Sequence, residues 1–132
     1  MIKPFSNAPD WSDKVILIAD DEVTNLHVLS TSLKRTKAKI LSGSDGQEAI
    51  DLFAQNKDII DIVLLDIKMP QKDGFEVLNF IRQTKPDTIV VAQTAYALVD
   101  EERKIRQLGF DDYLSKPILI SKLFMHLEKY LQ

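Results

Sequence analysis

The strongest constraint on the fold is a set of short apolar runs that recur at nearly constant spacing. Runs at residues 15–19, 39–41, 62–65, 89–92 and 112–114 start 24, 23, 27 and 23 residues apart. Three of them, Val-Ile-Leu-Ile-Ala, Ile-Val-Leu-Leu and Ile-Val-Val-Ala, are continuously apolar and rich in β-branched residues. A strand with one wet face alternates apolar with polar residues, whereas a strand buried on both faces reads as an unbroken apolar run. The runs therefore predict a parallel sheet covered by helices on both sides.

The intervening segments carry helical periodicity. Val23, Leu26, Leu29 and Leu33 fall on one helical face. Ala49, Ile50 and Phe53 follow Asp45-Gly46, where Asp45 is a candidate N-cap. Val77, Leu78 and Ile81 follow Gly74, and Leu98, Ile105 and Leu108 precede Gly109, a candidate C-cap. Leu119, Leu123, Leu127 and Leu131 recur every fourth residue to the end. Strand and helix thus alternate five times. The expected fold is α/β: a flavodoxin-like, doubly wound, five-stranded parallel sheet in order 2-1-3-4-5, with five helices and right-handed crossovers.

A chain of 132 residues fits one domain. Residues 1–14, with Pro4 and Pro9, read as a linker or N-terminal extension, and 15–132 as the domain; Trp11 is expected to pack on the sheet edge. Seventeen basic against 20 acidic residues leave a net charge of −3. That balance offers no electrostatic footprint for nucleic acid or an anionic membrane. No apolar run approaches the roughly 18 residues of a membrane span, and the N-terminus lacks a signal-peptide core, so a soluble domain is expected. The absence of cysteine excludes disulfides, thiolate zinc sites and cysteine nucleophiles.

In open α/β sheets, ligands bind beyond the carboxyl ends of the strands. Asp20, Asp21 and Glu22 follow the first run, and Asp66 follows the third, with Ile67, Lys68, Met69 and Pro70 behind it. The fourth ends in Gln93 and Thr94, and the fifth in Ser115, Lys116 and Pro117. Singly, each has a structural explanation: the acids and Thr94 as caps, Lys116 as a solvated cation. Together they set like charges at a partly buried edge, which persists only with a cation or hydrogen bonds to offset it. Carboxylate oxygens without histidine or cysteine suit Mg²⁺ better than zinc. Mg²⁺, an amine and a hydroxyl around one carboxylate make a site for phosphoryl transfer onto that carboxylate. Asp66 is the expected acceptor, because it alone among these acids ends the central strand.

Four motifs now resemble those of receiver domains of two-component response regulators. They are Ile-Leu-Ile-Ala-Asp-Asp-Glu at 16–22, Leu-Leu-Asp-Ile-Lys-Met-Pro-Gln-Lys-Asp-Gly at 64–74, Gln-Thr-Ala-Tyr-Ala at 93–97 and Gly-Phe-Asp-Asp-Tyr-Leu-Ser-Lys-Pro at 109–117. The resemblance implies that a sensor histidine kinase or histidine phosphotransfer protein phosphorylates Asp66. It implies Mg²⁺ on Asp21, Asp66 and the Lys68 backbone carbonyl, with Asp20 acting mainly through water. Thr94 and Lys116 match the family's phosphate-contacting hydroxyl and amine, and Tyr113 its switch aromatic. Lys68 and Tyr96 occupy the two positions that tune phosphoryl lifetime, and their bulk suggests a moderate to long one. The Lys116-Pro117 bond is expected to be cis.

The resemblance further implies a cytoplasmic switch that catalyses its own phosphorylation and dephosphorylation and is not a metabolic enzyme. Tyr96, Trp11 and the Asp-Asp-Tyr-Leu-Ser-Lys-Pro-Ile ending are similar to receivers of hybrid sensor kinases, and the linker-like residues 1–14 favour a piece of a longer protein over a single-domain regulator. Weak homodimerisation through the last two helices is compatible with the chain. A dehalogenase-type phosphatase needs a second acid where Lys68 stands, and Ser42-Gly43-Ser44-Asp45-Gly46 lacks the ending of a nucleotide loop. A phosphorylation-independent interaction module on the same fold is the remaining alternative. His27 and His126 read as surface or core-edge residues, and Phe75, Phe80 and Phe110 as core.

Overall fold

The computed structural model describes residues 8–95 and 99–131; Tyr96 and Leu98 lie outside them. In chain order the elements are β1 (Val15–Ala19), α1 (Val23–Lys34), β2 (Lys39–Gly43), α2 (Gly46–Asn56), β3 (Ile62–Asp66), α3 (Gly74–Thr84), β4 (Ile89–Thr94), α4 (Val99–Gln107), β5 (Asp112–Ser115) and α5 (Ile120–Leu131). The strands form one parallel sheet in the order β2-β1-β3-β4-β5, as the apolar runs require.

Period-two alternation divides the core in two. Leu17, Ala19, Val63, Leu65, Val90 and Ala92 face one layer with Ala49 and Phe53 of α2, Val77, Leu78 and Ile81 of α3, and Ile105 of α4. Ile16, Ile18, Ile62, Leu64 and Val91 face the other, with Leu29 and Leu33 of α1 and Leu123, Leu127 and Leu131 of α5. Both layers are apolar, so β1, β3 and β4 must be apolar at every position that a helix covers.

Local signals fix the turns. Asp45 caps α2 by accepting the Glu48 N–H at 2.8 Å. Asp73 and Glu76 form a reciprocal capping box at α3. Gly109 ends α4 at φ 110°, a conformation other residues rarely adopt. Its carbonyl accepts from Arg82 Nε and Nη2 at 3.2 and 2.8 Å. The same guanidinium reaches the Thr88 carbonyl at 2.6 Å and Asp111 Oδ2 at 2.9 Å, tying α3 to both ends of the β4–α4–β5 unit.

Several apolar residues depart from expectation. Trp11 is not on the sheet edge but buried in the α1–α5 layer, stacked on Phe124 at 5.9 Å between ring centroids, with its backbone N–H on the Thr36 carbonyl. Val23 is 74% exposed, because it opens α1 beyond the last residue of β1, where no strand lies beneath it. Leu108 and Leu119 are also exposed, standing just outside the ends of α4 and α5. Phe110 is buried and Phe80 half-buried against Phe53, but Phe75 in the first turn of α3 is exposed and packs edge-on against Phe110. His27 is exposed and His126 half-buried, in keeping with their reading as surface or core-edge residues.

Candidate functional site

Asp66 is the last residue of β3, and Gly74 shapes the loop that leaves it. A Cβ on Gly74 would stand 2.5 Å from the Asp66 carbonyl oxygen and 2.7 Å from Ile67 Cα. Only glycine lets α3 begin so close beneath the strand end, where its N–H donates to the Ile67 carbonyl at 2.8 Å. A Cβ on Gly46 would likewise overlap the Lys72 backbone, so the β3–α3 loop lies directly on the start of α2. The β3–α3 loop is thus held by backbone contacts from both sides.

The carboxylates of Asp20, Asp21 and Asp66 converge, each with an oxygen within 4.8 Å of the others. Asp20 is fully buried, Asp66 is 5% exposed, and Asp21 is open to solvent. Lys116, just beyond β5, reaches over them. Its Nζ lies 3.0 Å from Asp66 Oδ2, 2.9 Å from Glu22 Oε1 and 3.4 Å from Asp20 Oδ2. Lys116 N also donates to the Thr94 carbonyl at 2.7 Å, which seats the β5 end against β4. The Lys116-Pro117 peptide is cis, as expected.

Burial pushes the Asp66 carboxyl up from 3.8 to about 6, against the hydrogen bond and charge of Lys116, while Asp20 adds to the upward shift. Burial disfavours the Lys116 ammonium, but hydrogen bonds to Glu22 and Asp66 and the nearby Asp20 outweigh it and raise its pKa well above the usual lysine range. The site is therefore a set of acids held together by one shared cation.

Asp66, Asp21, Lys68, Thr94 and Lys116 line one open cleft of about 480 Å³. Thr94 ends β4 and is 6% exposed, and Lys68 is exposed at the rim, with its N–H 3.3 Å from Asp66 Oδ1. Asp20 lies beneath the cleft. Tyr113 is not among the lining residues: its ring packs under the Arg106 guanidinium at 5.7 Å. A hydrogen bond to Glu102 raises its phenol pKa, with burial adding to the shift. Tyr96 lies outside the described residues.

Sequence reasoning placed the acids, the hydroxyl and the amine but missed two participants, and it gave no role to Glu22, which shares Lys116. Asn25, in the first turn of α1, donates to Asp20 Oδ2 and, at 3.1 Å, to Gln93 Oε1. Phe75, read as core, instead walls the cleft together with Ile67 and Ile105. The donor set fits a hard divalent cation, since carboxylates gather without histidine among the described residues and without cysteine anywhere in the chain.

Residues 16–128 match the family described as response regulator receiver domain. The chain is 35% identical over 118 residues to the sensor histidine kinase RcsC of Salmonella typhi, covering 89% of this chain and 12% of that protein. It is 36% identical over 108 residues to the sensor histidine kinase GacS of Pseudomonas protegens, covering 78% of this chain and 12% of that protein. The chain thus spans about an eighth of the length of these relatives. Among solved structures it is similar to the Francisella response regulator 1452 receiver domain, with TM-score 0.83 and 26% identity, over 89% of this chain and 96% of that one.

Proposed function

The chain belongs to the response regulator receiver domain family, and from that premise we propose that it is a phosphorylation-controlled switch with Asp66 as the phosphoacceptor. The donor is a phosphohistidine of a sensor kinase or histidine phosphotransfer protein. One observation carries the assignment: Asp66 ends the central strand inside a cleft, with Lys116 Nζ 3.0 Å from Oδ2 and two further carboxylates within reach.

In the transfer, an Asp66 carboxylate oxygen forms a bond to phosphorus as the bond from phosphorus to the histidine nitrogen breaks. That nitrogen leaves with the bonding pair. The step needs no separate base, because the nucleophile is already ionised above its raised pKa of about 6. Positioning and charge neutralisation do the rest. Lys116 exchanges part of its contact with the acids for a phosphoryl oxygen, and the Thr94 hydroxyl donates to another. Reversal of the signal is attack of water on the acyl phosphate, which Lys68 at the rim of the cleft shields.

Asp21, Asp66 and the Lys68 carbonyl would hold Mg²⁺, with Asp20 acting through water. When bound, the ion supplies charge neutralisation for the phosphoryl oxygens. Tyr113 and Thr94 form the two-position switch that carries the phosphoryl charge to the α4–β5 surface. We place the domain in the cytoplasm without nucleic acid as a direct partner, and self-association through α4 and α5 is compatible with this surface. No helix among the described residues is long and apolar enough to cross a membrane.

Intact mass measurement after incubation with acetyl phosphate tests the assignment. A single phosphoryl adduct is expected that requires Mg²⁺, disappears in Asp66→Asn and is weakened in Lys116→Met. An adduct that survives Asp66→Asn refutes Asp66 as the acceptor. No adduct on the native chain turns the case towards a phosphorylation-independent interaction module.

A further inference from the structure

Asp20 is fully buried, and burying a carboxylate is costly unless donors satisfy its oxygens. Three donors reach it: the Glu22 N–H at 2.9 Å, Lys116 Nζ and Asn25 Nδ2. The third dictates the orientation of two amides. Asn25 must turn its NH₂ towards Asp20, because its carbonyl would repel the carboxylate. The second hydrogen of that NH₂ then goes to Gln93 Oε1 at 3.1 Å. Gln93 is thereby forced to present its own NH₂ elsewhere, and its buried Nε2 has no hydrogen-bond partner among the described residues.

A fully buried glutamine with an orphaned donor weakens a fold, and a leucine would fill the same place in β4 without one. Core packing therefore does not account for Gln93, but its position does. It is the register partner of Asp66 across the β3–β4 pair, and through Asn25 it joins α1 to the acid just beyond β1.

We propose that Asn25 and Gln93 are positioning residues that hold the Asp20 carboxylate in place for the divalent cation. The chain Gln93–Asn25–Asp20 locks a carboxylate whose alternative rotamers would weaken the acid cluster. Partners of this kind, one step removed from an ion, change metal affinity by about tenfold or more when lost. This inference rests on the cation-binding part of the proposed function.

The test compares the native chain with Gln93→Leu and Asn25→Ala by calorimetric Mg²⁺ titration. Melting temperatures are taken in EDTA in parallel. Gln93→Leu is expected to melt at or above the native temperature, yet to bind Mg²⁺ about tenfold more weakly. Asn25→Ala, on a half-buried helix position, is expected to weaken Mg²⁺ binding to a similar degree while remaining folded. In the native chain, the Asn25 side-chain amide resonances should shift on Mg²⁺ addition. Native Mg²⁺ affinity in both folded variants overturns the positioning role and leaves the cation reading intact. Affinity that falls only in step with stability also overturns it, as a packing effect. No Mg²⁺ binding to the native chain overturns the cation reading itself and this role with it.

Discussion

Replacing Asp66 with asparagine should stabilise the domain at neutral pH while removing the proposed phosphoacceptor. In the unfolded chain the carboxyl ionises near 3.8; in the fold, burial moves that to about 6. Between those values the folded state holds a proton that the unfolded state has released. The contribution of this group is therefore most favourable below pH 4, declines as pH rises towards 6, and stays lost above it. A shift of about two units corresponds to roughly 3 kcal/mol. Asparagine imitates the neutral carboxyl at every pH, so Asp66→Asn should gain about 3 kcal/mol at pH 7, on the order of 10 °C in melting temperature for a domain of this size. The gain should shrink towards zero below pH 4. Urea unfolding in EDTA, followed by circular dichroism from pH 4 to 8, measures it. Saturating Mg²⁺ should narrow the difference, because it stabilises only the native carboxylate cluster. A gain that does not vary with pH, or a loss of stability at pH 7, would refute the reasoning.

Substitutions at three other residues bear on the framework of the site. Gly74→Ala places a Cβ against the Asp66 and Ile67 backbone, which cannot rotate away; a loss of about 1–3 kcal/mol in urea unfolding and slower labelling by acetyl phosphate are expected. Arg82→Ala removes donors from the Gly109, Thr88 and Pro86 carbonyls and the partner of Asp111, which should cost about 2–3 kcal/mol. Arg82→Lys should recover little of that loss in the same assay, since an ammonium cannot span the fork. Trp11→Ala should destabilise by about 3 kcal/mol as read by circular dichroism, and a change near zero would show that this side chain lies outside the cooperative unit.

Most of the sheet was legible because β1, β3 and β4 are apolar at nearly every position, which only two-sided burial explains. The site was legible for a related reason: each apolar run stops at a polar residue, and parallel strands put those stops on one edge. What pattern could not reveal was where a helix overhangs the sheet. Val23, Leu108 and Leu119 fit a helical stripe by spacing, yet each sits beyond the surface it would have covered. Asn25 escaped notice because α1 was read only for its apolar face. Helical side chains lean towards the N-terminus, so a polar residue in the first turn of α1 reaches back over the acids that precede it. Gln93 carried its own signal, a polar residue before the strand end of β4, and the Asp73-x-x-Glu76 spacing was a cap signal that went unread.

The two-faced alternation of the sheet has a diagnostic use. Asp20 continues the set Ile16–Ile18, Asp66 the set Ile62–Leu64, and Gln93 shares its side with Val91. A slip of one residue in any of these strands would send the acid to the opposite face together with every apolar neighbour. No arrangement can assemble the carboxylates while the interior is threaded wrongly. Titrating preparations of variants with a divalent cation would therefore count the molecules whose strands are in step, and a binding stoichiometry below one would reveal misthreaded chains that a helical spectrum cannot distinguish from the rest.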